Sequence, residues 1–381
     1  MMLARSSSPQ RQAAPVANAM PPVILVADDL TGACDSAAAF LGKADVVRVL
    51  LHSASFQAQP GTVTALSTET RSAIPAEAAR IVECTVQAFL SVREDRILFK
   101  KVDSAGRGHL LLETMATLRS CGATLALVAP AFPEAGRTVS GGVLHIRDSA
   151  KRDTSLDLAT IFQAHCGGGI DLLPVGKADE LERAVRHAVE HGTQILICDA
   201  ETQRDLDRLA AAACRIQEPI LWTGSAGLAR ALASQFPSAL SERPVDREWP
   251  TGRVLLFVGT DHPVTSLQVS HLEREPATAA LEIHRIEWND SSAEYIRKTF
   301  SASPVATLIL TGGDTAALVL GALNARAVRL AGELAPGVPC GFIEGGDADG
   351  CAVLTKSGGF GQEDMLTNAV HFCVRRVCAS A

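Results

Sequence analysis

Short, wholly apolar runs recur along the chain and alternate with longer segments of helical periodicity. The first run, residues 23–27, reads Val-Ile-Leu-Val-Ala, as expected of a parallel strand that is covered on both faces. Similar runs predict six more strands, at residues 96–100, 125–129, 194–198, 220–223, 254–258 and 307–311. Helical patterns lie between them, at residues 75–92, 179–191 and 202–217. This alternation predicts an α/β fold with a mostly parallel sheet flanked by helices.

The alternation stops at residues 236–252, which hold three prolines and no clear periodicity. We predict a linker there, between one domain at residues 23–235 and a second at residues 253–381, each with a mostly parallel sheet. Residues 1–22 are rich in Ser, Ala, Gln and Pro and carry no acidic residue, so we expect a flexible N-terminal extension. They lack the apolar stretch of a secretory signal, and a transit peptide stays open as an alternative.

The bulk composition narrows the class of protein. The 381 residues are enough for two domains that each bury a core, and 47% apolar with 20% charged residues suits a globular chain. The net charge of −7 argues against a nucleic-acid-binding protein, and no apolar run reaches the ~18 residues of a membrane helix. Ten cysteines without CxxC spacing favour reduced thiols, so we predict a cytoplasmic protein.

The clearest local pattern is a strand, a glycine turn and a helix. The sequence Gly312-Gly313-Asp314-Thr315 follows the strand predicted at residues 307–311, and a helical pattern begins directly afterwards. The start of a helix offers unpaired N–H groups and a positive dipole end, and the glycines let a phosphate approach the backbone. An ordinary strand-to-helix turn in a doubly wound sheet looks similar, so the pattern alone leaves both interpretations open.

Charged residues follow the predicted strands of the first domain, and ligands of open α/β sheets bind at the carboxyl ends of strands. Asp28 and Asp29 follow the first strand. Either could accept a proton from a substrate hydroxyl, or the pair could serve the next helix, with Thr31 as its cap. A mixed cluster follows the second predicted strand and suits recognition of a small acid: Lys100, Lys101, Asp103, Ser104 and Arg107. Arg71 and Arg137 are further cationic candidates.

Two other motifs are incomplete. Ser225 lies in Thr223-Gly224-Ser225-Ala226-Gly227, which is similar to the nucleophile elbow of serine hydrolases, but a GxSxG motif needs glycine where Thr223 stands. Lys356 and Ser357 end a near-match to a phosphate-binding GxxxxGK[ST] loop, in which Thr355 replaces the second glycine. No GxGxxG occurs, so dinucleotide binding has no support.

Five segments form a combination far more specific than any one of them. In chain order they are Ala27-Asp28-Asp29-Leu30-Thr31-Gly32 with Asp35; Lys101-Val102-Asp103-Ser104 with Arg107-Gly108; Pro130-Ala131-Phe132-Pro133 with Gly136-Arg137-Thr138; Gly312-Gly313-Asp314-Thr315; and Gly337-Val338-Pro339 followed by Lys356-Ser357-Gly358-Gly359-Phe360-Gly361. Their order and spacing over about residues 23–370 resemble the four-carbon acid sugar kinase family.

The resemblance implies an N-terminal domain that binds a sugar acid and a C-terminal domain that binds ATP. It implies transfer of the γ-phosphate to the terminal hydroxyl of a threonate, an erythronate or a 3-oxo-tetronate, and Mg²⁺ would bridge the phosphates. The candidate substrate-binding residues are Asp29, Arg71, Lys101, Val102, Asp103, Ser104, Arg107 and Arg137. The candidate ATP-binding residues are Thr260, Gly312, Gly313, Asp314, Thr315, Lys356, Gly358 and Gly359.

The general base is expected at Asp28 or Asp29, with Asp103 as the next candidate, and the linker would act as the hinge of a closing cleft. The family usually has Gly-Ser-x-Ser-Pro-x-Thr at the segment that begins at Gly259 here, and His262 replaces a small residue in it. Two alternatives stay open, a non-catalytic sensor of sugar acid and nucleotide, and a serine hydrolase that uses Ser225. The expected partners are a sugar acid and ATP, without nucleic acid or membrane, and a homodimer is left open.

Overall fold

The protein is described by a computed structural model that covers residues 20–51, 59–90, 96–147, 153–164, 169–238, 249–276 and 280–375. Residues 1–19 of the predicted N-terminal extension therefore lie outside the described residues. The central part of the predicted linker, residues 239–248, lies outside them as well.

Most elements follow from the apolar runs and the helical patterns. The strands are β1 (Val23–Ala27), β2 (Val46–Leu50), β3 (Thr62–Ser67), β4 (Ile97–Lys101), β5 (Leu125–Ala129), β6 (Arg137–Ser140), β7 (Val143–Arg147), β8 (Asp153–Asp157), β9 (Ile170–Leu173), β10 (Ile195–Cys198), β11 (Ile220–Gly224), β12 (Arg253–Val258), β13 (Leu281–Arg285), β14 (Val305–Thr311), β15 (Ala327–Ala335), β16 (Val338–Glu344) and β17 (Ala352–Lys356). The helices are α1 (Leu30–Ala38), α2 (Pro75–Leu90), α3 (Leu110–Cys121), α4 (Leu158–Gln163), α5 (Ala178–Glu190), α6 (Gln203–Ala213), α7 (Ala226–Ala233), α8 (Pro263–Leu272), α9 (Ser292–Ser301), α10 (Gly313–Ala322) and α11 (Met365–Arg375).

A single sheet of fourteen strands runs through the protein, in the order β13-β12-β14-β17-β16-β15-β2-β3-β1-β4-β11-β5-β10-β9. The eight strands from β2 to β9 in this order are parallel, and so are the four strands from β13 to β17. The predicted α/β class with a mostly parallel sheet is therefore confirmed. All five residues of β1 are buried, which explains its uninterrupted apolar sequence.

The described residues before position 239 (the N-terminal half) and those after position 248 (the C-terminal half) share this sheet. β15 and β16 form an antiparallel hairpin, and β15 also pairs antiparallel with β2 of the N-terminal half. The apolar runs predict a sheet for each domain, and no sequence pattern marks this junction. The proposed boundary at residues 236–252 stays a prediction, because its centre lies outside the described residues.

A second, three-stranded antiparallel sheet of β6, β7 and β8 was not predicted either. β6 and β8 contain one apolar residue each, and β7 has no apolar run longer than two residues, so these strands lack the buried-run signal. This small sheet lies beside the carboxyl ends of the main sheet and brings Arg137, Ile146 and Thr154 to the cleft described below. Among the described residues, no helix is both long enough and apolar enough to span a bilayer.

Candidate active site

A cavity of about 560 Å³ opens at the carboxyl ends of the strands, between the two halves. This volume falls within the range of small-molecule sites. Residues that follow β1, β4 and β5 line it from the N-terminal half, and residues that follow β12, β14 and β17 line it from the C-terminal half. The position agrees with the rule that open α/β sheets bind ligands at strand ends.

Asp29 forms the centre of a dense polar cluster on the N-terminal side. It is the N-cap of α1, and its Oδ1 accepts a hydrogen bond from the Gly32 amide at 3.0 Å. Arg71 holds the same carboxylate with two hydrogen bonds, of 2.9 Å from Nη1 to Oδ2 and 2.7 Å from Nη2 to Oδ1. The Thr31 hydroxyl donates a further bond of 2.7 Å to Oδ2. Asp29, rather than Thr31, is therefore the helix cap, and it lines the cavity as well.

Arg71 connects Asp29 to the other two candidate bases. Its Nε donates to Asp28 Oδ2 at 2.8 Å, and its Nη2 lies 3.5 Å from Asp103 Oδ1. Arg107 holds Asp103 with two bonds of 2.8 Å. Burial acts to raise the pKa of both Asp28 and Asp103, but the surrounding cations outweigh it and the pKa of each carboxyl falls below its ordinary value. Among these cations, Lys101 has the largest lowering effect on the pKa of Asp28, and Arg107 has the largest on the pKa of Asp103.

The two lysines at the end of β4 point to opposite faces of the strand, because side chains alternate along a strand. Lys100 is fully buried and pairs with the equally buried Glu113 at 2.7 Å. Lys101 lines the cavity, and its ammonium lies over the start of α1, where a β-carbon on Gly32 would be 2.7 Å from Nζ. Within the described part of the chain, the Lys101 ammonium forms no hydrogen bond and no salt bridge within 4 Å, although its charge favours the ionised forms of Asp28, Asp35 and Asp103. It is a cation available to an anionic ligand.

The glycine turn after β14 faces this cluster from the C-terminal side. Gly312 has a φ of +98°, a conformation that favours glycine, and α10 begins at Gly313 without a side-chain cap. A β-carbon on Gly313 would lie 2.6 Å from Asp29 Oδ2, so the turn is in direct contact with the Asp29 carboxylate. The uncapped start of α10, which can bind a phosphate, therefore lies next to a carboxylate of the other half.

A second glycine loop, residues 357–361, lies next to this turn, and its residues 357–360 line the cavity. Hydrogen bonds from two side chains hold the loop in place. Lys356 is buried, and its ammonium donates to the carbonyl oxygens of Ser357 at 2.8 Å and Phe360 at 3.1 Å. Thr265 donates to the Gly358 carbonyl at 2.7 Å. Burial lowers the pKa of Lys356 to about 7. Lys356 thus supports the loop from inside and does not line the cavity.

The structure brings most of the predicted site residues together. The following line the cavity: Asp29, Arg71, Lys101, Asp103, Ser104, Arg107, Arg137, Thr260, Gly312, Gly313, Asp314, Thr315, Gly358 and Gly359. Three predicted residues lie outside its lining. Asp28 is buried behind Arg71, Val102 packs in the hydrophobic core, and Lys356 lies beneath its loop. The sequence predicts which residues follow a strand, but alternation and local hydrogen bonds decide which of them face the cleft.

Ser225 does not have the surroundings of a hydrolase nucleophile. It is fully buried, its hydroxyl donates to the Ala131 carbonyl at 2.5 Å, and its oxygen accepts from the Gly227 amide as the cap of α7. No histidine of the described residues hydrogen-bonds to it. The hydroxyl proton is committed to the backbone, so the geometry argues against the hydrolase alternative.

Sequence reasoning gave no role to two cleft residues. Asp35, on α1, lies 3.6 Å from Arg230, and burial raises the pKa of its carboxyl to about 6 against the opposing effects of Arg230 and Lys101. Trp288, on the loop after β13, is an exposed aromatic side chain in the cavity lining. No apolar run marks β13 in the sequence, so no pattern there places Trp288 at the end of a strand.

No group of three or more His, Cys, Asp or Glu residues with the geometry of a metal site occurs within the described ranges. A kinase holds Mg²⁺ largely through phosphate oxygens and water, with one or two carboxylates. Asp314 fits that pattern, because its exposed carboxylate lies in the first turn of α10 and lines the cleft. A carboxylate beside a phosphate site is repulsive unless a cation lies between them.

In comparisons with known proteins, the two sides of the cavity match two different domain models. Residues 23–232 match the model of a sugar-binding N-terminal domain, and residues 287–366 match that of a nucleotide-binding C-terminal domain. The chain is 30% identical to the D-threonate kinase of Bordetella bronchiseptica, over 92% of this chain and 96% of that protein. It is 26% identical to the 3-oxo-tetronate kinase of Pseudomonas fluorescens, over 93% and 98%. A crystal structure of the Haemophilus influenzae protein HI1011 has the same fold, with 18% identity and a TM-score of 0.64 over 92% of this chain and 100% of that one.

Proposed function

The chain belongs to the four-carbon acid sugar kinase family, and from that premise we propose that it transfers the γ-phosphate of ATP to the terminal (4-)hydroxyl of a four-carbon sugar acid. D-threonate, D-erythronate and a 3-oxo-tetronate are the acids to test, since relatives are named for them. The observation that carries the proposal is the contact of Asp29 with the Gly312-Gly313 turn. It supports a site in which an acceptor hydroxyl and a bound phosphate meet.

The substrate carboxylate binds Lys101 in this proposal. Phosphoryl transfer requires mainly correct positioning and charge stabilisation, and the Lys101 ammonium, which forms no salt bridge with another described residue, can provide both for a small acid. Arg71 carries its charge toward Asp28 and Asp29, so its main task is to hold the Asp29 carboxylate in place. Ser104 and Arg137 also line the cleft and can contact the hydroxyl groups of the acid.

Asp29 orients the attacking hydroxyl and accepts its proton as the phosphoryl group arrives. The donors around Asp29 fix its carboxylate next to Gly313. The start of α10 binds phosphate oxygens through its backbone N–H groups. Asp314 would hold Mg²⁺ at this place, and the ion would neutralise part of the negative charge of the phosphates.

A substrate panel tests the proposal. Purified protein is incubated with ATP, Mg²⁺ and each four-carbon acid, and ³¹P NMR identifies a phosphate ester and the carbon that bears it. We expect an ester at the terminal carbon with at least one acid and none without Mg²⁺. Tight binding of both ligands without any product would instead support the sensor alternative, for which the His262 substitution is the motive.

A further inference from the structure

The indole ring of Trp288 lies on the C-terminal side of the cavity. Its indole Nε1 donates to the Gly259 carbonyl at 2.7 Å, which fixes the ring against the loop after β12. The residue is nevertheless 54% exposed and lines the cavity. No aromatic ring of the described residues stacks on it. An oriented aromatic face that is open toward a cavity is available for stacking with a ligand.

The ring lies next to the turn that we assign to the phosphates. A β-carbon on Gly259 would be 3.1 Å from Trp288 Cζ2 and 2.6 Å from Thr315 Oγ1, so the indole and the first turn of α10 meet around Gly259. Glycine at this position gives both groups the room to approach. The indole therefore lies within reach of a ligand whose phosphates bind at the start of α10.

We propose that Trp288 is the platform on which the purine ring of ATP stacks. The inference rests on the proposed kinase function and adds the residue that recognises the base. A flat, π-rich base gains from contact with an indole face, whereas an acyclic four-carbon acid offers no flat surface to it. The cations that suit the acid lie across the cleft, on the N-terminal side.

The other tryptophans make this proposal testable by fluorescence. Trp222 and Trp249 are 5% and 6% exposed, and neither lines the cavity, so Trp288 is the tryptophan that a ligand in the cleft can contact. We expect ATP to quench the fluorescence of the parent protein. In Trp288→Phe the quenching should disappear while most of the affinity remains, because phenylalanine keeps an aromatic face.

Calorimetry with two probes separates stacking from a structural role. Trp288→Ala should weaken MgATP binding by about tenfold or more, while the affinity for inorganic tripolyphosphate, which has no base, stays at the parent value. Tyr295→Ala is the matched control, because Tyr295 is 44% exposed on α9 and lies outside the cavity lining. It should leave both affinities unchanged.

Two results would overturn the proposal that the purine ring stacks on Trp288. Unchanged MgATP affinity in Trp288→Ala shows that the base binds elsewhere, and an equal loss for MgATP and tripolyphosphate shows that the indole only supports the loop. These results leave the kinase proposal intact. A parent protein that binds neither probe would instead refute the nucleotide site itself and remove the premise of the inference.

Discussion

At the scale of single residues, Lys100 and Lys101 show how one strand directs two similar side chains to different places, one to the buried interior and one to the cavity. Lys101→Met should raise the KM for the sugar acid by on the order of 10- to 100-fold, because a charged hydrogen bond to the carboxylate is lost, and leave the KM for ATP nearly unchanged. Steady-state kinetics with each substrate varied in turn measures both. An unchanged KM for the acid would contradict the role of Lys101.

Lys100→Met is the matched control for that variant. Lys100 pairs with Glu113 in the interior, and its removal leaves a buried carboxylate without its cation. We expect a loss of stability of about 3 kcal/mol or more and a normal KM for the acid in the protein that folds. Denaturant unfolding followed by circular dichroism measures the first quantity.

Asp35 gives the protein a pH-dependent stability at the cleft. The pKa of its carboxyl is about 6 in the folded protein, above its ordinary value of 3.8, so the folded state binds this proton more tightly than the unfolded state. The contribution of Asp35 to stability therefore falls as the pH rises through 4 to 6. The free energy of unfolding of Asp35→Asn, relative to that of the parent, should rise by about 1 kcal/mol from pH 5 to pH 7.5. Denaturant unfolding at the two pH values measures this difference. A difference that does not change with pH would contradict this.

At the scale of elements, the turn that begins α10 lies against the Asp29 carboxylate of the N-terminal half. Gly313→Val would place side-chain atoms where Asp29 Oδ2 lies, so both the carboxylate and a bound phosphate must move. We expect kcat/KM to fall by on the order of 10²-fold or more, and MgATP to bind more weakly in calorimetry.

Gly321→Ala, in the same helix, is the control for that substitution. A β-carbon on Gly321 meets no atom within 4 Å, and alanine stabilises a helix interior relative to glycine by roughly 0.5–1 kcal/mol. The variant should keep the parent kinetics. Parent-like ATP affinity in Gly313→Val would place the phosphates elsewhere.

The sequence predicts the elements whose chemistry is uniform and misses those whose environment is set by tertiary contacts. β1 and β5 have the predicted bounds because all their residues are apolar and buried. β13 has mixed polar and apolar residues and pairs only with β12 at the edge of the sheet, so no run marks it. The β15–β16 hairpin turns at Gly337, and its pairing with β2 depends on a partner almost 280 residues earlier in the chain.

The same limit applies to the site. Asp29, Lys101 and Gly313 were predicted because each directly follows or closes a buried strand. Lys356 also ends a strand, but its ammonium turns inward to carbonyl oxygens that the sequence does not reveal. Trp288 is seen as a cleft residue only when the strands are assembled.

At the scale of the whole molecule, several contacts hold the two halves together across the cleft. β2 pairs with β15, and Arg48 forms two hydrogen bonds of 2.6 and 3.0 Å with Glu344 beside that junction. Arg230 of the N-terminal half lies 3.4 Å from Glu333. We therefore expect one cooperative thermal transition in calorimetry, because neither half keeps its sheet edge covered alone. Two resolved transitions would contradict this coupling.

The central claim is that Asp29, at the contact between the halves, serves the acceptor hydroxyl, and one kinetic comparison tests it most directly. The kcat of Asp29→Asn is measured beside that of Asp28→Asn, with ATP, Mg²⁺ and the best acid of the panel. Asparagine still caps α1 and keeps the shape of the side chain, so circular dichroism should not change. We predict that Asp29→Asn loses on the order of 10²-fold or more in kcat, and that Asp28→Asn, outside the cavity lining, loses far less. A near-parent kcat in Asp29→Asn, or a larger loss in Asp28→Asn, would contradict the account.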